Sequence, residues 1–198
     1  MCSSDLVMIG PKYSGAEFHG GAGNDRLIAR SKRRKDSNRF FGGPGNDYLW
    51  GGGGHDHLDG GTGNDEIHGN AGNNTILGGH GNDVIYDGEG ASDIDTGPGR
   101  NRVISQEGDD TIRVGTGENT ITGGSGKTRY VIAYGGLTRI TDWHPDVQID
   151  LTDWPGAPDV TETDSAVQIR LGASFVILEG ITNVDTVMET LKFGKERL

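Results

Sequence analysis

A large apolar residue returns every nine positions through the middle of this chain. The row reads Leu49, Leu58, Ile67, Ile76, Ile85, Ile94, Val103, Ile112, Ile121 and Tyr130, with Leu27 ahead of it across an interruption. Two residues before each stands a short polar residue: Asp25, Asp47, Asp56, Asp65, Asn74, Asp83, Ser92, Asn101, Asp110, Asn119 and Thr128. The clearest copies are GGAGNDRLI at residues 20–28, GGPGNDYLW at 42–50, GGGGHDHLD at 51–59, GGTGNDEIH at 60–68 and GGHGNDVIY at 78–86. Numbered from its first glycine, each copy has the polar residue at position 6 and the apolar one at position 8. Alternation over positions 7 to 9 predicts a very short strand with position 8 inward and its neighbours outward. The glycines allow positive φ in the preceding loop and let its carbonyls approach a ligand closely. A fixed nine-residue period is the signature of a stacked parallel solenoid. Two repeats make one coil, so Asp47, Asp65 and Asp83 stack on one side, and Asp56, Asn74, Ser92 and Asp110 on the other.

One segment breaks the phase. Residues 29–41 read ARSKRRKDSNRFF. The last nine still place Asn38 at position 6 and Phe40 at position 8, so residues 29–32 are an insertion ahead of a degenerate repeat. Asp25 then lies below Asp47 across that insertion. Beyond residue 131 the pattern changes. Residues 138–142, 148–151, 166–171 and 174–178 read as strands, and 185–191 as a helical turn or two. Trp143, Trp154 and Phe175 are candidates to cover the open end of the stack.

Composition narrows the picture. The chain has 198 residues, of which 36 are glycine, and only 32% are apolar. A conventional globular core is therefore unexpected without another source of cohesion. The formal charge is -11, much of it aspartate in register, so a cation both offsets the charge and holds the fold. A lone Cys2 excludes an intrachain disulfide framework. No apolar run approaches the ~20 residues of a membrane span, and the start lacks a secretory signal pattern. Residues 1–6 match nothing downstream and resemble translated adaptor sequence. Residues 1–17 are left unassigned, and the chain reads as the N-terminally incomplete tail of a larger protein.

The repeats resemble the RTX (repeats-in-toxin) calcium-binding family. Residues 140–151 (ITDWHPDVQIDL) and 166–181 (AVQIRLGASFVILEGI) resemble the C-terminal capping region of RTX proteins exported by type I systems. The resemblance implies an all-β fold: a right-handed parallel β-roll (β-solenoid) over residues 18–131, with a C-terminal antiparallel β cap and secretion region over 132–198. It also implies Ca²⁺ ions between the loops of successive coils. Each takes the position-6 carboxylates of both loops, carbonyls of positions 2 and 4 of the first, and carbonyls of positions 1 and 3 of the second. One site is then Asp47 and Asp65 with the carbonyls of Gly43, Gly45, Gly60 and Thr62. The next is Asp65 and Asp83 with those of Gly61, Gly63, Gly78 and His80. A third pairs Asp83 with Asn101, whose neutral oxygen implies weaker binding, and Asp25 is a candidate partner of Asp47. On the second side Asp56 and Asp110 are the candidate ligands; Asp56 faces Asn74, Ser92 is too short to replace a carboxylate, and the sites there stay open. An all-oxygen set suits Ca²⁺ rather than Zn²⁺ or Mg²⁺. The family further implies an extracellular protein that folds on Ca²⁺ after type I export, with an uncleaved export signal within residues 184–198.

Other signals are weaker. Neither HExxH nor GxSxG occurs, and no nucleophile-base constellation emerges, so the chain reads as non-enzymatic. GGSGKT at residues 123–128 lacks the first glycine of a phosphate-binding loop. His55, His57, His68 and His80 occupy variable or outward positions, which disfavours a zinc site. The basic residues Arg30, Lys32, Arg33, Arg34 and Lys35 suggest an anionic glycan as partner, whereas the overall acidity disfavours nucleic acid. Two other readings remain: a carbohydrate-binding or adhesive module, and an accessory module of a secreted protease, lipase or polysaccharide epimerase. Ice binding needs a threonine ladder, and only Thr120 and Thr122 fit one.

Overall fold

A computed structural model of the chain describes residues 5–10, 15–33 and 35–193. In chain order the first strands are β1 (Val7–Ile9), β2 (Glu17–His19), β3 (Arg26–Ile28), β4 (Arg39–Pro44), β5 (Tyr48–Trp50) and β6 (His57–Thr62). They continue with β7 (Glu66–Ala71), β8 (Thr75–His80), β9 (Val84–Glu89), β10 (Asp93–Asp95), β11 (Arg102–Ile104) and β12 (Thr111–Val114). After these come β13 (Gly117–Thr122), β14 (Arg129–Ile132), β15 (Gly136–Ile140) and β16 (Gln148–Leu151). The chain ends in β17 (Asp159–Glu162), β18 (Ala166–Leu171), β19 (Ser174–Glu179), α1 (Val184–Met188) and β20 (Leu191–Phe193).

Odd-numbered strands from β1 to β15 form one parallel sheet, and even-numbered strands from β2 to β16 form the other. Each coil gives one strand to each sheet, which makes the fold a parallel β-roll. The register follows the nine-residue period: Leu49 pairs with Ile67 and Ile67 with Ile85 in one sheet, and Leu58 with Ile76 and Ile76 with Ile94 in the other. These position-8 side chains meet between the sheets and are fully buried. A one-residue slip would turn the apolar row outward, so burial pins the register.

The insertion leaves this register intact. Leu27 pairs with Leu49 even though the spacing is four residues longer than elsewhere. Residues 29–32 stay against the next loop: Ala29 and Ser31 are buried, the Ala29 N–H donates to the Trp50 carbonyl at 2.9 Å, and the Gly53 N–H donates to the Ser31 carbonyl at 2.8 Å. Two strands precede the first motif. β1 pairs with β3 and β2 with β4, and the Phe18 ring stacks on Phe40 at 4.6 Å.

The parallel ladders also run past residue 131, where the nonapeptide motif ends. β15 and β19 extend the first sheet, and β16 and β20 the second. Only β18 runs against its neighbours, pairing antiparallel with β19 and with β17 at the edge of the first sheet. Trp154 is buried in the core, with its indole N–H donating to the Ile132 carbonyl at 2.9 Å. Trp143 packs against the core from the side. Phe175 does not: alternation along β19 sends Val176 and Leu178 inward and leaves Phe175 outside, under Arg170.

Candidate metal centres between the coils

Position 6 sits where the loop enters the strand, and all twelve of its residues, Asn38 included, are buried. On the side of the first sheet, each backbone N–H donates to the position-6 side chain one coil further on. Asp25 donates to Asp47 Oδ1 at 2.7 Å, Asp47 to Asp65 at 2.7 Å, Asp65 to Asp83 at 2.9 Å and Asp83 to Asn101 at 2.9 Å. The structure thus brings Asp25, Asp47, Asp65, Asp83 and Asn101 into one file, with Asp25 in place despite the insertion.

The second carboxylate oxygen is left over. Oδ2 of Asp25, Asp47, Asp56, Asp65 and Asp83 is buried and has no hydrogen-bond partner in the protein. A buried unpaired anionic oxygen is costly, so these atoms mark a missing partner. They share one setting. A Cβ placed on Gly60 would lie 2.5 Å from both Asp65 Oδ2 and the Gly78 carbonyl oxygen, and one on Gly20 would lie 2.5 Å from Asp25 Oδ2 and 2.6 Å from the Gly42 carbonyl. Glycine is required here because the space belongs to oxygens.

Main-chain carbonyls point into the same gaps from both coils. Those of Gly43 and Gly45 face Gly61 and Gly63 of the coil ahead, close enough that a Cβ there would collide with them. From the other coil, Gly60 presents its carbonyl to Gly42, and Thr62 accepts the Gly45 N–H at 2.8 Å. The gap between Asp65 and Asp83 repeats this with Gly61 and Gly63 from one side, Gly78 and His80 from the other. Each carbonyl has two lone pairs, so one stays free after an N–H is accepted. Two carboxylates and four carbonyls make six hard oxygens, a set that fits a calcium-sized cation. Among the described residues no three His, Cys, Asp or Glu side chains gather as a metal cluster, so any such centre depends on the main chain.

Burial dominates the electrostatics. It pushes the Asp65 and Asp56 carboxyls up to about 7, and raises those of Asp47, Asp83 and Asp110. Asp83, Asp47 and Asp59 add to the rise at Asp65, and the Asp47 N–H opposes it. Desolvated carboxylates in file disfavour their own charged form until a cation joins them.

The second side is built differently. Asn38 N–H and Nδ2 donate to Asp56 Oδ1 at 2.7 and 3.1 Å, Asp56 donates to Asn74 Oδ1 at 3.0 Å, Asn74 to Ser92 Oγ at 3.0 Å and Ser92 to Asp110 Oδ1 at 2.8 Å. Where asparagine replaces aspartate, its amide protons bind the loop's own carbonyls. Asn101 Nδ2 reaches Gly97 at 3.1 Å, Asn119 reaches Gly115 at 2.9 Å and Asn74 reaches Gly72 at 3.2 Å.

Three features escaped the motif. Asp36, in the degenerate repeat, is buried, bonded by Ser31 Oγ, and close enough to raise the Asp56 carboxyl. Asp87 is buried where a glycine opens most other copies. An exposed file of position-5 asparagines links the loops, with Asn46, Asn64 and Asn82 each donating N–H to the asparagine Oδ1 one coil earlier at 2.7–2.8 Å. The recurrent GND in the copies was the available signal for the last.

Arg30, Lys32, Arg33 and Lys35 are exposed, while Arg34 lies outside the described residues. The GGSGKT loop turns the Gly123 and Gly124 N–H groups onto Asp142, at 2.8 and 2.6 Å. The segment named for the export signal is α1 and β20 as far as residue 193, and its remainder lies outside the described residues. No described helix is long and apolar enough to cross a membrane.

Among solved structures, the chain is similar to an extracellular lipase from Serratia marcescens, at 15% identity and a TM-score of 0.49. The match covers 96% of this chain and 40% of the lipase, so the chain spans less than half of that protein's length. No curated protein matches the sequence. A family profile described as the RTX calcium-binding nonapeptide repeat, in four copies, matches residues 17–31, 35–67, 59–94, 68–103 and 104–127. Those matches cover more than half of the chain, and the same repeats build the roll: the chain belongs to the family of RTX calcium-binding nonapeptide-repeat proteins.

Proposed function

We propose that this chain is a calcium-folded module of a secreted protein, with Ca²⁺ ions seated between successive coils. The ligands are Asp25, Asp47, Asp65 and Asp83 with the carbonyls of the loops they share, and Asp56 on the second side. One observation carries this reading: the file of buried, unpartnered Oδ2 atoms, each beside a carbonyl of the next coil. Without a cation, carboxylates one coil apart (about 4.8 Å) repel, and a glycine-rich chain has much entropy to lose. With a cation, repulsion becomes shared coordination, and binding free energy becomes folding free energy. Extracellular calcium modules bind at about 10⁻⁴–10⁻³ M. Such a chain stays unfolded in a calcium-poor cytosol, threads through a type I exporter from its C-terminal signal, and folds outside. It serves as the C-terminal part of a larger extracellular protein, and catalysis belongs to other segments. Crystals grown in millimolar calcium test the sites: anomalous peaks beside Asp47, Asp65 and Asp83 are expected, and their absence overturns the reading. Deleting residues 184–198 tests export, which is expected to stop; undiminished export would refute that role.

A second reading rests on a groove of about 530 Å³ lined by Ile28, Arg30, Lys32 and Trp50 among others. Along the adjoining face the Trp50 ring lies tilted against His68 at 4.9 Å, and His68 stacks on Tyr86 at 4.7 Å. Exposed cations beside stacked rings suit an anionic polysaccharide. Retention on an alginate matrix, lost when Arg30, Lys32, Arg33 and Lys35 become glutamine, supports it; equal retention of both proteins rejects it.

A further inference from the structure

Position 1 of the repeat is glycine at residues 42, 51, 60, 69 and 78, and aspartate at residue 87. The same copy is the one whose position 6 is Ser92. In the copies that pair a position-1 glycine with a position-6 aspartate, the missing Cβ points at the Oδ2 of that aspartate, as for Gly51, where that distance is 2.8 Å. A side chain at position 1 therefore enters the spot that a position-6 carboxylate would fill. Asp87 does this. Its Oδ1 accepts the Ser92 hydroxyl at 2.9 Å and faces back toward loop 69–74, where it accepts the Asn74 amide at 3.5 Å and lies 2.9 Å from a Cβ placed on Gly69, which leaves Oδ2 for the gap ahead.

Resting on the calcium reading above, we propose that Asp87 is a relocated ligand, and that with Asp110 it holds a Ca²⁺ ion between loops 87–92 and 105–110. Asp87 is 1% exposed, and its Oδ2 has no partner in the protein. Asp110 is equally buried, with its Oδ1 on the Ser92 N–H and its Oδ2 on the Ser105 hydroxyl. Among the described residues neither is ion-paired with a lysine or arginine. Two neighbouring buried carboxylates need a positive partner between them. The gap supplies further oxygens: the Gly88 carbonyl accepts the Glu107 N–H at 3.2 Å, and the Glu107 carbonyl accepts the Gly90 N–H at 2.8 Å. Carboxylates and carbonyls alone select a hard, calcium-sized ion. The exchange of glycine for aspartate at position 1 and aspartate for serine at position 6 thus moves the ligand by five residues and keeps the site.

Native mass spectrometry of the full chain in calcium counts the ions. Asp87→Asn is expected to bind one ion fewer than the parent. The double variant Asp87→Gly with Ser92→Asp, which restores the ordinary repeat, is expected to bind the parental number. An unchanged count for Asp87→Asn overturns the proposal, as does one ion more than the parent in the double variant. In either case a parent that binds several ions leaves the calcium reading standing. A parent that binds none overturns both. Should Asp87→Asn fail to fold, the double variant alone decides.

Discussion

The Asp47 N–H meets Oδ1 of Asp65 at 2.7 Å, while Oδ2 of that same carboxylate meets no donor in the protein. One carboxylate therefore has two duties: one oxygen fixes the register of adjacent coils, and the other is left for a cation.

Asp65→Asn separates those duties, because the amide oxygen keeps the Asp47 contact and the charge is lost. Asp65 borders two gaps, toward Asp47 and toward Asp83, whereas Asp25 borders one occupied by a second aspartate. Asp65→Asn is expected to weaken two ions and raise the calcium midpoint about tenfold, roughly 1.4 kcal/mol. Asp25→Asn is expected to have the smaller effect. Isothermal calorimetry of both variants checks the order.

Asn101→Asp works in the opposite direction. It removes the amide bond to the Gly97 carbonyl and gives the gap above Asp83 a second carboxylate. Tighter calcium binding is expected, together with a less stable metal-free chain. Calcium titrations with and without the substitution measure the first, and urea melts in chelator the second.

The pH dependence has opposite signs with and without metal. Burial raises the Asp56, Asp65 and Asp87 carboxyls to about 7, against about 3.9 in an unfolded chain. In chelator, the folded state binds more protons than the unfolded one between those values. Its stability is then greatest below about pH 4 and is lost as pH rises through 7. In calcium, bare carboxylates are needed, so affinity rises over the same range. Circular dichroism in chelator at pH 4.5 and 8, beside calcium titrations at pH 6 and 8, checks both signs.

Gly63→Ala is expected to be severe. Gly63 has φ +127°, and a Cβ there would collide with the Gly45 carbonyl oxygen. The cost exceeds about 1–3 kcal/mol of backbone strain alone. Gly156→Ala meets nothing within 4 Å and serves as the comparison, expected to be near neutral. Thermal melts in saturating calcium measure the difference.

The periodic part of this molecule was plain in its sequence. Leu58, Ile67 and Ile76 recur in phase with Asp56, Asp65 and Asn74, and both rows are buried as that phase requires. What lacked the motif was not legible. β1 and β2 carry VMI and EFH without any glycine-aspartate loop, and they join the ladders through Met8 and Phe18 against Leu27 and Phe40 and through the Leu6 N–H on Asp25 Oδ1 at 2.7 Å. The cap strands were evident from alternation, but their pairing was not. Nothing local in residues 148–151 or 174–179 says that these strands continue the parallel sheets while β18 turns back. Asp87 and Asp36 are hidden for another reason: the acidic row of the motif runs at position 6, whereas a coil can deliver a carboxylate to the same space from position 1 or from elsewhere in a degenerate repeat.

The central claim is that shared cations, more than the thin apolar row, hold the coils together. The direct test is circular dichroism near neutral pH, at 7.5, during titration from excess chelator into millimolar calcium. A disordered spectrum that converts to a β spectrum as calcium is added is the predicted result. A full β spectrum already present in chelator, unchanged by calcium, would contradict the account.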